Sequence, residues 1–205
     1  MTRRTTAAFE ASLDGLDVGR TRTTPGGFEA VLREVVRQPA VGVPLPDEGL
    51  SLPASVTTDA TPAELADAAT GVTAAALGIA DYGSVVLPST ATGAEQVSLF
   101  PPLHVAVLRE SDVVAGMPEA IERLAPLLRD DRGSAVVATG PSATADMGDL
   151  VRGAHGPEEV HVVIVEDDEG TRNGTVDSAG DETSDAGEGG TTGSVDAGPA
   201  GDGDE

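Results

Sequence analysis

The sequence predicts an α/β domain, a three-layer arrangement in which a mainly parallel sheet carries helices on both faces. Two observations lead there. Short valine-rich runs, SVVL (84–87), HVAVL (104–108), SAVVA (134–138) and VHVVIV (160–165), lack the polar alternation of a half-exposed strand and read as strands covered on both sides. Segments with apolar residues at helical spacing alternate with them, which is the element order of an α/β sheet. A length of 205 residues allows one well-filled domain.

Residues 1–24 are polar, rich in Thr and Arg, and predict a weakly structured arm with at most a short helix over Thr6–Leu13. After the break at Pro25, Gly26 and Gly27, Phe28, Val31, Leu32, Val35 and Val36 mark an amphipathic helix that Pro39 ends. The proline-rich stretch 39–59 predicts extended segments at a sheet edge. Thr61, Pro62 and Glu64 open a second helix with a hydroxyl cap, a first-turn proline and an early acid. TGVTAAALGIADYGSVVLPS (70–89) predicts strand, tight turn at Asp81–Gly83, and strand, followed by a small-residue loop over 90–98. A strand over 104–108 leads to a third helix over 117–129, with Ile121, Leu124, Leu127 and Leu128 on one face and Pro126 expected to bend or shorten its end. The strand SAVVATG comes next. The segment from Thr139 to Asp167 then reads as strand end, ligand-facing loop, short amphipathic helix, Gly/His turn and strand. The single domain is expected over 25–166, and 167–205, acidic and glycine-rich, as a disordered tail.

Composition narrows the function. There is no cysteine, which excludes disulfides, thiolate metal sites, cysteine nucleophiles and iron–sulfur clusters ligated by this chain's own thiolates. The net charge is -23, and every basic residue is Arg. Residues 166–205 hold thirteen acids and one Arg, which leaves twenty-two acids against eleven Arg in the body. The body is therefore acidic in its own right, as expected of a halophilic protein, since molar salt cuts the Debye length to about 3 Å. An acidic surface gains no counterion release from phosphate backbones or anionic lipid, so neither nucleic acid nor membrane is an expected partner. The Arg pair of MTRRTT is not followed by an apolar stretch, and a cytoplasmic protein is expected.

The densest site-like chemistry is TGPSATAD. Thr139, Ser142 and Thr144 offer hydroxyls, Gly140 allows close backbone approach, and a helix beginning beyond Asp146 would add partial positive charge for a small carboxylate or phosphate. The same residues also read as simple helix caps, Asp146 pairing with Asp149. Arg152 is suited to clamping a carboxylate, and His155, between glycines, to exchanging protons near neutrality. His161 and His104 lie inside apolar runs and read as hydrogen-bonded core histidines. Their spacing with His155 matches no standard metal-ligand motif, and no metal is expected. Asp81 reads either as ordinary turn chemistry or as a carboxylate pointing into the cleft of the TGPS loop. No nucleophile triad order, Walker loop or dinucleotide fingerprint occurs.

Three stretches, GIADYGSVVL (78–87), SLFPPLHVAVL (98–108) and TGPSATADMGDLVRGAHGPEEVHVVIV (139–165), resemble the hallmark segments of the LUD domain family, the lactate-utilisation proteins of LutC/YkgG type. The resemblance implies a NagB/RpiA/CoA-transferase-like fold. It also implies a non-cluster component acting beside iron–sulfur partner proteins in oxidation of lactate to pyruvate. A small 2-hydroxy or 2-oxo acid is then expected around Thr139, Gly140, Ser142, Thr144, Asp146, Arg152 and His155, with Asp81 nearby. No cofactor is expected on this chain itself, the clusters residing on the partners, and a homo-oligomer is compatible with the sequence. Two departures stand out. Ala80-Asp81-Tyr82-Gly83 replaces an AETG-like turn, and the region before Gly71 matches poorly. The alternatives are a stand-alone enzyme of the CoA-transferase and cyclo-ligase group, which the lack of lysine disfavours, and a non-catalytic regulatory or assembly factor.

Overall fold

In the computed structural model, residues 2–130, 133–146 and 149–167 are described. The two most apolar runs lie side by side at its centre: β7 (Leu103–Arg109) pairs in parallel with β12 (Glu159–Val165), His104 opposite Val160 and Leu108 opposite Ile164. Outward from them run β1 (Gly19–Thr23) beyond β12, and β4 (Thr70–Ala74), β2 (Ala40–Gly42) and β3 (Val56–Thr57) beyond β7. All five pairings are parallel, as expected of strands covered on both faces.

Side-chain alternation sorts the core into two layers. Val105, Val107, Val163 and Val165 face α2 (Phe28–Val35), which contributes Phe28 and Leu32. Ala106, Leu108, Val162 and Ile164 face α1 (Thr2–Gly15), which contributes Phe9 and Leu13. Fully burying a side chain of this size is worth roughly 1.5–3 kcal/mol, so this strand pair and its two helices supply a large share of the apolar stabilisation. α3 (Pro62–Asp67) begins with the expected cap: Thr61 Oγ1 accepts from the Glu64 amide, and the Glu64 carboxylate accepts from the Thr61 amide.

Several expectations are corrected. The polar stretch 1–24, expected as a weak arm with at most a short helix over Thr6–Leu13, forms the longer helix α1 and the edge strand β1, because Phe9 and Leu13 sit one turn apart and bury completely against the sheet. The loop expected over 90–98 contains α4 (Ala94–Leu99), which lies so close over Gly71 that any Cβ there would collide with the Val97 carbonyl oxygen. Part of one sheet face is covered by a second sheet rather than by helices alone. Its order is β8 (Val113–Val114), β5 (Leu77–Ile79), β6 (Ser84–Pro88), β9 (Ala135–Thr139), with β5 and β6 forming the expected hairpin. Val85 and Leu87 of β6 join the α1 core, while Leu77, Ile79 and Val86 face α5 (Met117–Asp130). That helix continues through Pro126, and it is Ala120 and Leu124 that pack, leaving Ile121, Leu127 and Leu128 exposed.

The largest correction concerns the segment after TGPS. No helix forms there. β10 (Ala143–Asp146) and β11 (Asp149–Arg152) make an antiparallel hairpin, with Ala143 opposite Arg152 and Thr144 opposite Val151. Gly140 at φ +73° and Gly153 at φ +80° turn the chain at its two ends, a left-handed conformation that glycine adopts without steric cost. With only ten residues from Ala143 to Arg152, pairing satisfies the backbone where a helix of that length would be marginal. Among the described residues no helix is long and apolar enough to cross a membrane. The tail expected to be disordered, 167–205, lies outside the described residues except for Asp167.

Candidate functional site

The segments singled out in the sequence converge on Leu16 and Asp17, just beyond α1. Asp17 adopts a left-handed conformation, φ 57°, and turns the chain into β1. Leu16 lies under two motif turns at once: a Cβ on Gly83 would sit 3.0 Å from Leu16 Cδ1, and one on Gly140 3.5 Å from Leu16 Cβ. The GIADYGS and TGPS stretches are joined directly, since β6 and β9 pair Ser84 with Thr139 and their hydroxyls hydrogen-bond at 2.7 Å. Ser84 is buried and Thr139 exposed, so the Thr139 hydroxyl serves the sheet and retains only spare bonding capacity for a ligand.

Ser142 organises the Gly/His turn. Its amide donates to the Pro157 carbonyl (2.9 Å), its carbonyl accepts from the Gly153 amide (3.1 Å), and its Oγ accepts from the His155 amide (3.3 Å). Gly140, Ser142 and His155 are thus gathered, with the His155 ring exposed to solvent. Thr144 faces Val151 across the hairpin. Asp146 ends β10, and its side chain lies outside the described set; with no helix there, its expected capping of one and the anion-holding helix amides both lapse. Asp81 turns away from the loop: its amide donates to the Ala115 carbonyl (3.1 Å), and its carboxylate lies over Gly116 beside the start of α5.

Arg152 leads to a cavity. Its guanidinium donates to Asp17 at 3.3 Å across 135 residues of sequence. The two side chains stand at a cavity of about 480 Å³, lined also by Gly19, Glu34, Arg37, Glu159 and His161. Arg37 forks onto Glu159 through two 2.7 Å bonds, which hold the Glu159 carboxyl below its usual range. His161 Nε2 meets Thr21 Oγ1 at 3.0 Å, and burial lowers its pKa, so the ring is neutral near pH 7. Its Nδ1 lies over Gly19, where a Cβ would come within 2.6 Å. Of the expected site residues, only Arg152 lines this cavity. Asp17, Gly19 and His161 had no ligand role in the sequence reading; the glycine between Val18 and Arg20 in DVGRT was the one available hint of a close approach.

The position in the fold differs from expectation. The TGPS loop follows the carboxyl end of β9, yet through Pro157 it lies beside the amino ends of β12 and β7, opposite the edge where ligands of open α/β sheets usually bind. That opposite edge carries another charged network. Buried Glu110 accepts from Arg22 (2.9 Å) and Thr6 (3.3 Å), and Arg109 pairs with Asp47. His104, on β7, is fully buried, with Nε2 2.9 Å from Thr73 Oγ1, and burial pushes its pKa down to about 4. Among the described residues no group of three or more His, Cys, Asp or Glu is placed to hold a metal ion.

Comparison with known proteins agrees with this architecture. Residues 44–165 match the LUD domain family model. Lactate utilization protein C of Deinococcus radiodurans is 33% identical over 147 residues, 69% of this chain and 68% of that protein. Lactate utilization protein C of Bacillus licheniformis is 35% identical over 103 residues, covering 47% of this chain and 42% of that protein. YkgG of Escherichia coli is 33% identical over 102 residues. The crystal structure of a DUF162 family protein from Deinococcus radiodurans superposes with a TM-score of 0.63 at 23% identity, covering 80% of this chain and 98% of that one, and shares the fold. The chain belongs to the LUD domain family.

Proposed function

We propose that this chain is a lactate-utilisation protein of the C type: a component without its own cluster that holds a small 2-hydroxy or 2-oxo carboxylate and works beside iron–sulfur partners in oxidation of lactate to pyruvate. The relatives named for lactate utilization support the process. One observation supports the ligand: Arg152 borders a polar cavity, where among the described residues its guanidinium is held by one 3.3 Å contact to exposed Asp17. An exposed pair of this kind is worth roughly 0–1 kcal/mol, so a ligand carboxylate replaces Asp17 at little cost and gains a forked contact. Neutral His161, held through Nε2, leaves Nδ1 for a ligand hydroxyl or carbonyl once the ring shifts off Gly19. The absence of cysteine supports the part of this reading that puts the clusters on partner proteins. The chain works in the cytoplasm on this reading.

Deleting the gene tests the process. Growth on lactate is lost, growth on pyruvate continues, and the intact gene restores the first. Unchanged growth on lactate, in a strain with no second copy of such a gene, would falsify this reading.

A further inference from the structure

The outer edges of the two main sheets are not alike. β1 carries Arg20 and Arg22, while β3 and β8 are two residues long. β9 has five residues, Ala135–Thr139, with no charge or proline, in regular register with β6, and the sequence stays uncharged from Gly133 to Ala145. Natural sheet edges are normally shortened or charged, because their unpaired amides and carbonyls recruit other strands. Among the described residues no strand pairs with the outer edge of β9. Val137, at its centre, is 46% exposed on the α5 side of the sheet, where Ile121, Leu127 and Leu128 are exposed as well.

We propose that β9 is a dimerisation edge: two copies of this chain pair antiparallel through Ala135–Thr139, Val137 meeting Val137 on a twofold axis, and merge their four-stranded sheets into one of eight. A twofold contact requires a patch complementary to itself, and an antiparallel strand of unpaired backbone meets that condition. Charge argues for this face in particular. A chain at -23 repels its copy over most of its surface, whereas this strand brings no ionised side chain to the contact. The inference is independent of the ligand proposed above.

The test uses the full chain in molar potassium chloride. Light scattering gives twice the monomer mass for the wild type, and Val137→Asp, which sets two carboxylates on the axis, returns it to monomer. The chain lacks cysteine, so Val137→Cys adds a single thiol. Directly opposed antiparallel residues lie about 4.5–5.5 Å apart at Cα, within disulfide reach, and mild oxidation yields a covalent dimer. Val151→Cys, exposed on the hairpin, does not. This arm holds even if Val137→Asp folds poorly. A monomeric wild type at high concentration overturns the proposal and leaves the edge to a different protein. A dimer that survives Val137→Asp, with Val137→Cys cross-linking no faster than Val151→Cys, overturns it by placing the contact elsewhere.

Discussion

Acid should unfold this protein in a way that one buried ring accounts for. His104 is a residue of the central strand β7 with Thr73 as its hydrogen-bond partner, and burial lowers its pKa from 6.5 to about 4. Between those two values the unfolded chain binds a proton that the folded chain refuses, so stability falls as pH drops through the window and levels off below about 4. At ~1.4 kcal/mol per tenfold change in proton affinity, the full loss is about 3 kcal/mol, a substantial part of a typical 5–15 kcal/mol domain stability. Urea unfolding at fixed molar salt, from neutral pH to about pH 4, measures it in the wild type and in His104→Gln, which keeps an amide within reach of Thr73. Surface carboxylates titrate alike in both, so the difference between the two curves isolates His104 and should change by about 3 kcal/mol across the window. A difference independent of pH would refute the assignment.

Three further outcomes follow from the packing. Gly71→Ala forces a methyl into the Val97 carbonyl, which is backbone and cannot rotate away, so stability should fall by ~3 kcal/mol, the upper end for overpacking; a melting temperature at the wild-type value would contradict the α4 contact. Gly19→Ala pushes His161 off its Thr21 contact and out of its partly buried site. Its pKa, lowered by burial, should then rise toward the ordinary value, which a proton NMR titration of the three histidines detects, and an unmoved His161 resonance would count against the geometry. Thr61→Ala removes half of the α3 capping box and should cost ~1 kcal/mol in thermal unfolding, whereas no change would mean the cap contributes little.

What was legible in the sequence follows the range of the interactions. β7 and β12 announced themselves as valine runs because strands covered on both faces need apolar residues at every position, whereas β9 reads the same way although it lies at a sheet edge with Val137 exposed. α3 was readable from its cap, a contact spanning three residues. α1 was readable only as a short helix over Thr6–Leu13, because Phe9 and Leu13 are its main apolar anchors amid Thr, Ala and Arg, and its stability comes from the sheet beneath. The hairpin β10–β11 is hidden for a related reason: its few apolar residues suit either element, and pairing of Ala143–Asp146 with Asp149–Arg152 decides between them. The site was legible only in pieces. TGPS and Arg152 stood out, while the contacts that place them, Ser84 with Thr139 and Asp17 with Arg152, join residues 55 and 135 positions apart that no local pattern links.

The most direct measurement is calorimetric titration of the purified chain with lactate and with pyruvate in molar potassium chloride, wild type beside Arg152→Ala. If Arg152 leaves Asp17 to clamp the ligand carboxylate, the wild type binds at least one of the two acids. The variant then weakens binding by tenfold or more, the loss expected when a charged hydrogen bond worth about 1.5–3 kcal/mol is removed. Equal affinity in the two proteins, or no binding of either acid by the wild type, would contradict the proposed ligand site.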